Sequence, residues 1–197
     1  IYIYHNDKSK RYKLKCILHS HTAPITSLDF SSDGSYIQST SSEGELLVHN
    51  TEYGDVMALP SQLKSIQWAT LTSIYGWPVQ GPWPNCDAVA ASEINVADDT
   101  CISSVYDEPI SVDRSRDGKY LVACSTSGKV QLCCHPVRTT PKDLTGSTRS
   151  GLEGLGANAE FLGHSPGRNA KCRFSCDGKH VITAGREDCV VMIWAVE

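Results

Sequence analysis

No run in these 197 residues approaches the roughly 20 consecutive apolar residues that a membrane-crossing helix needs, so no membrane role is expected. No long segment carries the 3.6-residue period of an amphipathic helix, which argues against a helical bundle. A Gly-rich phosphate loop and an HExxH helix are both missing, and with them the simplest routes to nucleotide and zinc-hydrolase chemistry. There is no excess of positive charge: 18 Lys and Arg face 22 Asp and Glu, a net charge of −4, which speaks against general nucleic-acid binding. The opening IYIYHNDKSKRYKLK alternates and then turns basic, unlike a secretory signal.

Hydrophobic residues make up 40% of the chain and charged ones 20%, values that suit a globular protein with a sizeable core. Nine cysteines are present, but none stands in a Cys-x-x-Cys pair. Most lie in β-like segments, where reduced thiols act as small hydrophobes. Cys133, Cys134, His135, Cys172 and Cys176 could be assembled into a zinc site on paper. Adjacent cysteines on a strand point to opposite faces, so neither a metal nor a cofactor is expected.

The strongest signal is self-similarity. ITSLDFSSDGSYIQSTSSEGELLVHN (25–50), ISVDRSRDGKYLVACSTSGKVQLCC (110–134) and AKCRFSCDGKHVITAGREDCVVMIW (170–194) align. Each gives an alternating strand, Ser-x-Asp-Gly, an apolar strand, a small polar turn and a further strand. Asp33-Gly34, Asp117-Gly118 and Asp177-Gly178 are tight-turn dipeptides. The chain therefore reads as all-β, built from successive hairpins. Such units cannot bury both faces alone and must stack around an axis, which is the logic of a β-propeller. Repeats of roughly 40–45 residues with Gly-His and Trp-Asp signatures mark the WD40 class. Gly163-His164 and Trp194 fit it best. Such repeats carry a hydrogen-bonded stack inside the blade, and His164, Thr183, Asp188 and Trp194 are the matching positions. The expected role is structural, since buried polar groups normally exist to satisfy one another. The first repeat reads as degenerate, with Ser20-His21 and His49-Asn50 in place of the signatures, and the second lacks both.

Two intervals are irregular. Asp33 and Asp117 stand 84 positions apart, with the stretch WATLTSIYGWPVQGPWP (68–84) between them. Asp117 and Asp177 stand 60 apart, separated by the Gly-, Ser- and Thr-rich run 138–160, read as a surface loop.

The Trp-Ala-Thr, Gly-Trp-Pro-Val-Gln-Gly and Trp-Pro elements of 64–84 resemble a segment late in the propellers of the echinoderm microtubule-associated protein-like family. SVDRS (111–115) with Gly128-Lys129-Val130, and Gly163-His164 with ITAGREDCVVMIWAV (182–196), resemble its last blades. The resemblance implies two atypical propellers in tandem, seven blades in a ring, of which this chain would be an incomplete arc of three to four. On that reading 1–19 ends a preceding blade, 20–84 is a blade plus a crossing segment, and 85–109 is an acidic insertion. Residues 110–137 are then a blade, and 161–197 the closing blade. Trp68–Pro84 would be a blade strand leading into the crossing segment, its tryptophans bracing apolar surface. Alternatively Trp77 and Trp83 form a partner-binding patch. The remaining blades of the ring are expected partners.

The family implies a non-catalytic scaffold on tubulin and microtubules, in the cytoplasm and cytoskeleton, with spindle, interphase network and axoneme left undistinguished. Lys8, Lys10, Arg11, Lys13 and Lys15 form a basic cluster suited to an acidic filament. The alternative is an adaptor for a non-tubulin complex, for which the six acids of 87–108 would suit a basic partner. Catalysis is not expected, because nothing supplies a nucleophile, a base and an orienting group together.

Overall fold

The computed structural model describes residues 1–6, 11–57, 63–76, 79, 107–135 and 157–196. All its regular structure of any length is β, in strands of five or six residues. The chain divides into two units, Ile1–Trp77 and Pro78–Glu197.

In the first unit, β1 (Tyr2–Asn6) and β2 (Tyr12–Ile17) pair antiparallel with a bulge at Ile3/Tyr4. A three-stranded sheet follows, β3 (Ile25–Phe30), β4 (Tyr36–Ser41) and β5 (Leu46–Asn50). Val56 adds a single bridge to His49 at the β5 edge. Ile3, Leu18 and Ile37 form the local core.

The second unit holds a four-stranded sheet in sequence order: β6 (Pro109–Arg114), β7 (Tyr120–Ser125), β8 (Lys129–Cys134) and β9 (Ala157–Leu162). A three-stranded sheet follows: β10 (Ala170–Phe174), β11 (His180–Gly185) and β12 (Val191–Ala195). Val122, Cys124 and Val130 of the first sheet pack on Ala170, Cys172 and Val181 of the second, with Phe174 and Trp194 at the margin. Burying such apolar side chains stabilises by about 1.5–3 kcal/mol each.

The three Asp-Gly turns are copies of one device. Ser31, Ser115 and Ser175 donate a hydroxyl to the aspartate two residues on. The same aspartate oxygen accepts the N–H of Ser35, Lys119 or Lys179. Gly34, Gly118 and Gly178 take φ of 73°, 72° and 71°, which glycine adopts without a Cβ penalty.

Two expectations need correction. The run 138–160 does not stay a loop to its end: Ala157–Leu162 is the fourth strand of the β6–β9 sheet, so the 161 boundary cuts a strand. Glu160 explains the pairing, because its carboxylate meets both Lys129 and Gln131 of β8. Nor, among the described residues of 68–84, does a blade strand begin at Trp68. That residue makes one bridge, to Ser31, while Ala69 N–H donates to the Phe30 carbonyl at 2.8 Å. Trp68 is nevertheless buried, as is Leu71. The acidic stretch 85–106, most of 136–160, Trp77 and Trp83 lie outside the described residues.

Candidate functional site

The β9–β10 connection carries His164 under the β11–β12 turn. His164 Nδ1 lies 2.8 Å from Asp188 Oδ2, and Nε2 lies 2.8 Å from Thr183 Oγ1. Trp194 Nε1–H donates to the same Thr183 oxygen at 2.9 Å. In the neutral ring the order is fixed by what each group can do. The carboxylate only accepts, so Nδ1 carries the proton, and Nε2 takes the Thr183 hydroxyl proton. Ser165 and Val190 N–H groups complete the Asp188 shell at 3.2 and 3.1 Å. Burial pushes the Asp188 carboxyl up, but the His164 and backbone hydrogen bonds outweigh it and hold it below its ordinary value. The His164 side chain is 1% exposed and Thr183 is fully buried. With both ring nitrogens engaged out of solvent, His164 has no free atom with which to meet a substrate.

Backbone packing enforces this arrangement. Gly163 and His164 N–H groups both donate to the Gly128 carbonyl, which ties the connection to the β7–β8 turn. A Cβ on Gly128 would stand 1.9 Å from the His164 carbonyl oxygen. The Trp194 ring stacks on Phe161 of β9, centroids 5.6 Å apart.

The first repeat keeps three members of the stack in space and loses the fourth. His21 Nδ1 lies 2.8 Å from Glu45 Oε2, and Nε2 lies 2.6 Å from Ser39 Oγ. Thr22 donates its hydroxyl to Glu45 Oε1 at 2.6 Å, much as Ser165 donates its N–H to Asp188. The strand registers put His49 where Trp194 stands, opposite Ile37 and Val181 respectively. His49 Nε2 meets Ser20 Oγ at 3.1 Å, while its buried Nδ1 has no partner. Hydrogen bonds from Thr22 and then His21 hold the Glu45 carboxyl down at about 2, and burial lowers the pKa of His49. Sequence reading missed Ser39 and Glu45. The available signal was spacing, since His21–Glu45 and His164–Asp188 are both 24 apart.

In the second repeat the same register positions hold Ala123 and Cys133, both buried, and burial raises the Cys133 thiol to about 11. Polar ties there lie on the first strand instead. Asp113 Oδ2 accepts Phe174 N–H at 2.8 Å. At the matching place in the first repeat, Asp29 is buried and accepts the N–H of both Thr72 and Ser73, the hydroxyls of Thr70 and Thr72, and the Gln38 amide. An aspartate so placed clamps the strand or segment beside it.

A family described as the echinoderm microtubule-associated protein second beta-propeller matches residues 1–196. The chain belongs to this family. It is 25% identical to the 77 kDa echinoderm microtubule-associated protein of Strongylocentrotus purpuratus over 197 residues, 100% of this chain and 24% of that protein. Echinoderm microtubule-associated protein-like 2 of Rattus norvegicus is 28% identical over 203 residues, 100% of this chain and 25% of the relative. Echinoderm microtubule-associated protein-like 4 of Mus musculus is 31% identical over 163 residues, 74% and 16% of the two chains. The chain thus spans about a quarter of the length of the first two relatives. Among solved structures, the Cps50 (Swd1) beta-propeller domain of Myceliophteria thermophila superposes with a TM-score of 0.54 at 13% identity, covering 93% of this chain and 57% of that one. The fold is an all-β propeller type, and the described residues show one four-stranded sheet, two three-stranded ones and a two-stranded piece.

The other singled-out residues of this propeller chain are placed as follows. Lys8, Lys10, Trp77 and Trp83 lie outside the described residues. Arg11 directly precedes β2, and Lys13 pairs in register with His5. Lys15 forms an ion pair with Glu52, so its charge is partly spent within the unit. Cys133 is buried and Cys134 exposed, and Cys172 is buried while Cys176 is exposed. Gly163-His164-Ser165-Pro166-Gly167 has the Gly-x-Ser-x-Gly spacing of a hydrolase elbow. That motif needs a strand-to-helix turn to expose its serine. Here it joins strand β9 to strand β10, and its histidine is consumed by Thr183 and Asp188.

Proposed function

We propose that this chain is a non-catalytic scaffold element on microtubules, bound to or docked on tubulin through propeller surfaces, and so resident on the cytoskeleton. The supporting observation is the match of a microtubule-associated propeller family along residues 1–196. His164, Thr183, Asp188 and Trp194 then serve to fix blade geometry, as their saturated hydrogen bonding suggests. The exposed side chains of Tyr2, Tyr4, Tyr12 and Leu14 on one face of β1–β2 suit cover by further propeller blades, in keeping with relatives about four times as long. The filament contact is assigned to the basic cluster Lys8, Lys10, Arg11, Lys13 and Lys15. Lys15 is also paired with Glu52 within the unit.

Co-pelleting of the full chain with polymerised tubulin at rising salt tests this. Binding is expected at low salt and should fade as the charges are screened. Absence from the pellet at every salt concentration refutes the scaffold reading. Pelleting that survives neutralisation of all five basic residues refutes only their assignment.

A further inference from the structure

Between the β6–β7 and β10–β11 turns lies a cleft of about 320 Å³, lined by Arg116, Asp117, Tyr120, Cys176, Asp177 and Gly178. We propose that this cleft docks an extended acidic peptide segment, its backbone along the β6–β7 turn and a carboxylate on the Arg116 guanidinium.

The first unit shows how such a place is filled. Ser32 stands there in the repeat position that Arg116 occupies here, directly after the turn serine. An extended piece of the same chain lies against it: Ser32 N–H donates to the Gln67 carbonyl at 2.7 Å, and Trp68 bridges Ser31. This repeat therefore presents an edge that takes an extended backbone. Among the described residues, the Arg116 N–H and guanidinium make no hydrogen bond or ion pair.

The chemistry of the walls selects the sign of the guest. Asp117 and Asp177 each give one oxygen to the turn serine and to a backbone N–H. Those bonds hold both carboxyls below their ordinary value. The second oxygen of Asp117 lies 3.4 Å from the Lys119 ammonium. Arg116 is the one cation lining the cleft and makes no ion pair among the described residues, and its fork of donors is matched to a carboxylate; the second oxygen of Asp177 is the opposing open charge. The half-buried Tyr120 offers a ring for packing and a hydroxyl to donate. The competing guest is a basic peptide drawn by the second oxygen of Asp177.

The test uses the full chain at low salt with fluorescent peptides of alternating Gly and Glu or Gly and Lys, and with inorganic phosphate. Anisotropy reports binding, and the rate of Cys176 alkylation by N-ethylmaleimide reports occupancy of the cleft. The acidic peptide should bind and slow alkylation. Arg116→Glu should weaken it about tenfold or more, the loss expected for a charge-assisted pair. Arg168→Glu, which changes net charge equally outside the cleft, should leave affinity within about twofold. The proposal is overturned if the lysine peptide binds as well, if phosphate protects Cys176 equally, or if the two reversals weaken binding alike.

Discussion

Thr183→Val removes one hydroxyl and almost no volume, and that hydroxyl is the only link between two donors and acceptors. It accepts from Trp194 Nε1–H at 2.9 Å and faces His164 Nε2 at 2.8 Å, at a site with no solvent exposure. A buried polar group stripped of its partner costs about 1–3 kcal/mol. His164 Nε2 bears that cost in full, because its side chain is 1% exposed. Trp194 bears less, since its ring is only half-buried. The sum is a loss of roughly 2–4 kcal/mol, or a drop in melting midpoint of roughly 5–15 °C for a chain of this length. Urea unfolding of the full chain, followed by far-ultraviolet circular dichroism, measures it for every variant. Trp194→Phe keeps most of the packing on Phe161 and removes the donor, so the double variant should cost less than the two single ones added together. A Thr183→Val loss under about 0.5 kcal/mol, or strict additivity in the double variant, would refute the buried-network account.

Three further outcomes follow from the same geometry. Gly128→Ala places a Cβ 1.9 Å from a backbone oxygen at φ +85° and should cost at least about 3 kcal/mol; the same change at Gly34, with open space around it, should cost about 1 kcal/mol. Unfolding midpoints of the two variants check this directly. Glu45 is held at about 2 by Thr22 and His21, so its contribution is present above the ordinary value of 4.5 and lost as pH falls towards 2; Glu45→Gln should flatten that acid limb. His49 is depressed from 6.5 chiefly by burial, so the unfolded chain holds more protons below that pH and stability declines as pH drops through it; His49→Phe should remove that slope in a pH series of urea midpoints.

The features legible in sequence were those decided locally. The Ser-x-Asp-Gly turns can be read because four neighbouring residues satisfy one another, with no help from the rest of the chain. The positions His164, Thr183, Asp188 and Trp194 can be read because their spacing follows from strand length and turn length. What escapes depends on distant pairing. Ala157–Leu162 follows a Gly-, Ser- and Thr-rich run, and only the Lys129 and Gln131 side chains across the ladder give Glu160 its place. Glu45 escapes for another reason. A search for Trp-Asp dipeptides finds His49-Asn50 and stops, although the longer glutamate side chain reaches the same histidine from a differently built turn.

The central strands show what this substitution does to the molecule. β4 and β7 are both buried nearly from end to end, yet one reads YIQSTS and the other YLVACS. In β7 the strand is held by apolar contact: Val122 and Cys124 sit in the core against Cys172 and Val181. In β4 almost the same burial is reached with Gln38, Ser39 and Thr40, which are tolerable inside only because Asp29, His21 and Ser27 meet them. Apolar packing does not depend on pH. A network that includes Glu45 and the half-satisfied His49 does, because each change in their protonation alters which atoms donate or accept. The sheet β3–β5 is therefore acid-sensitive through Glu45 and His49, as the β10–β12 sheet is through Asp188.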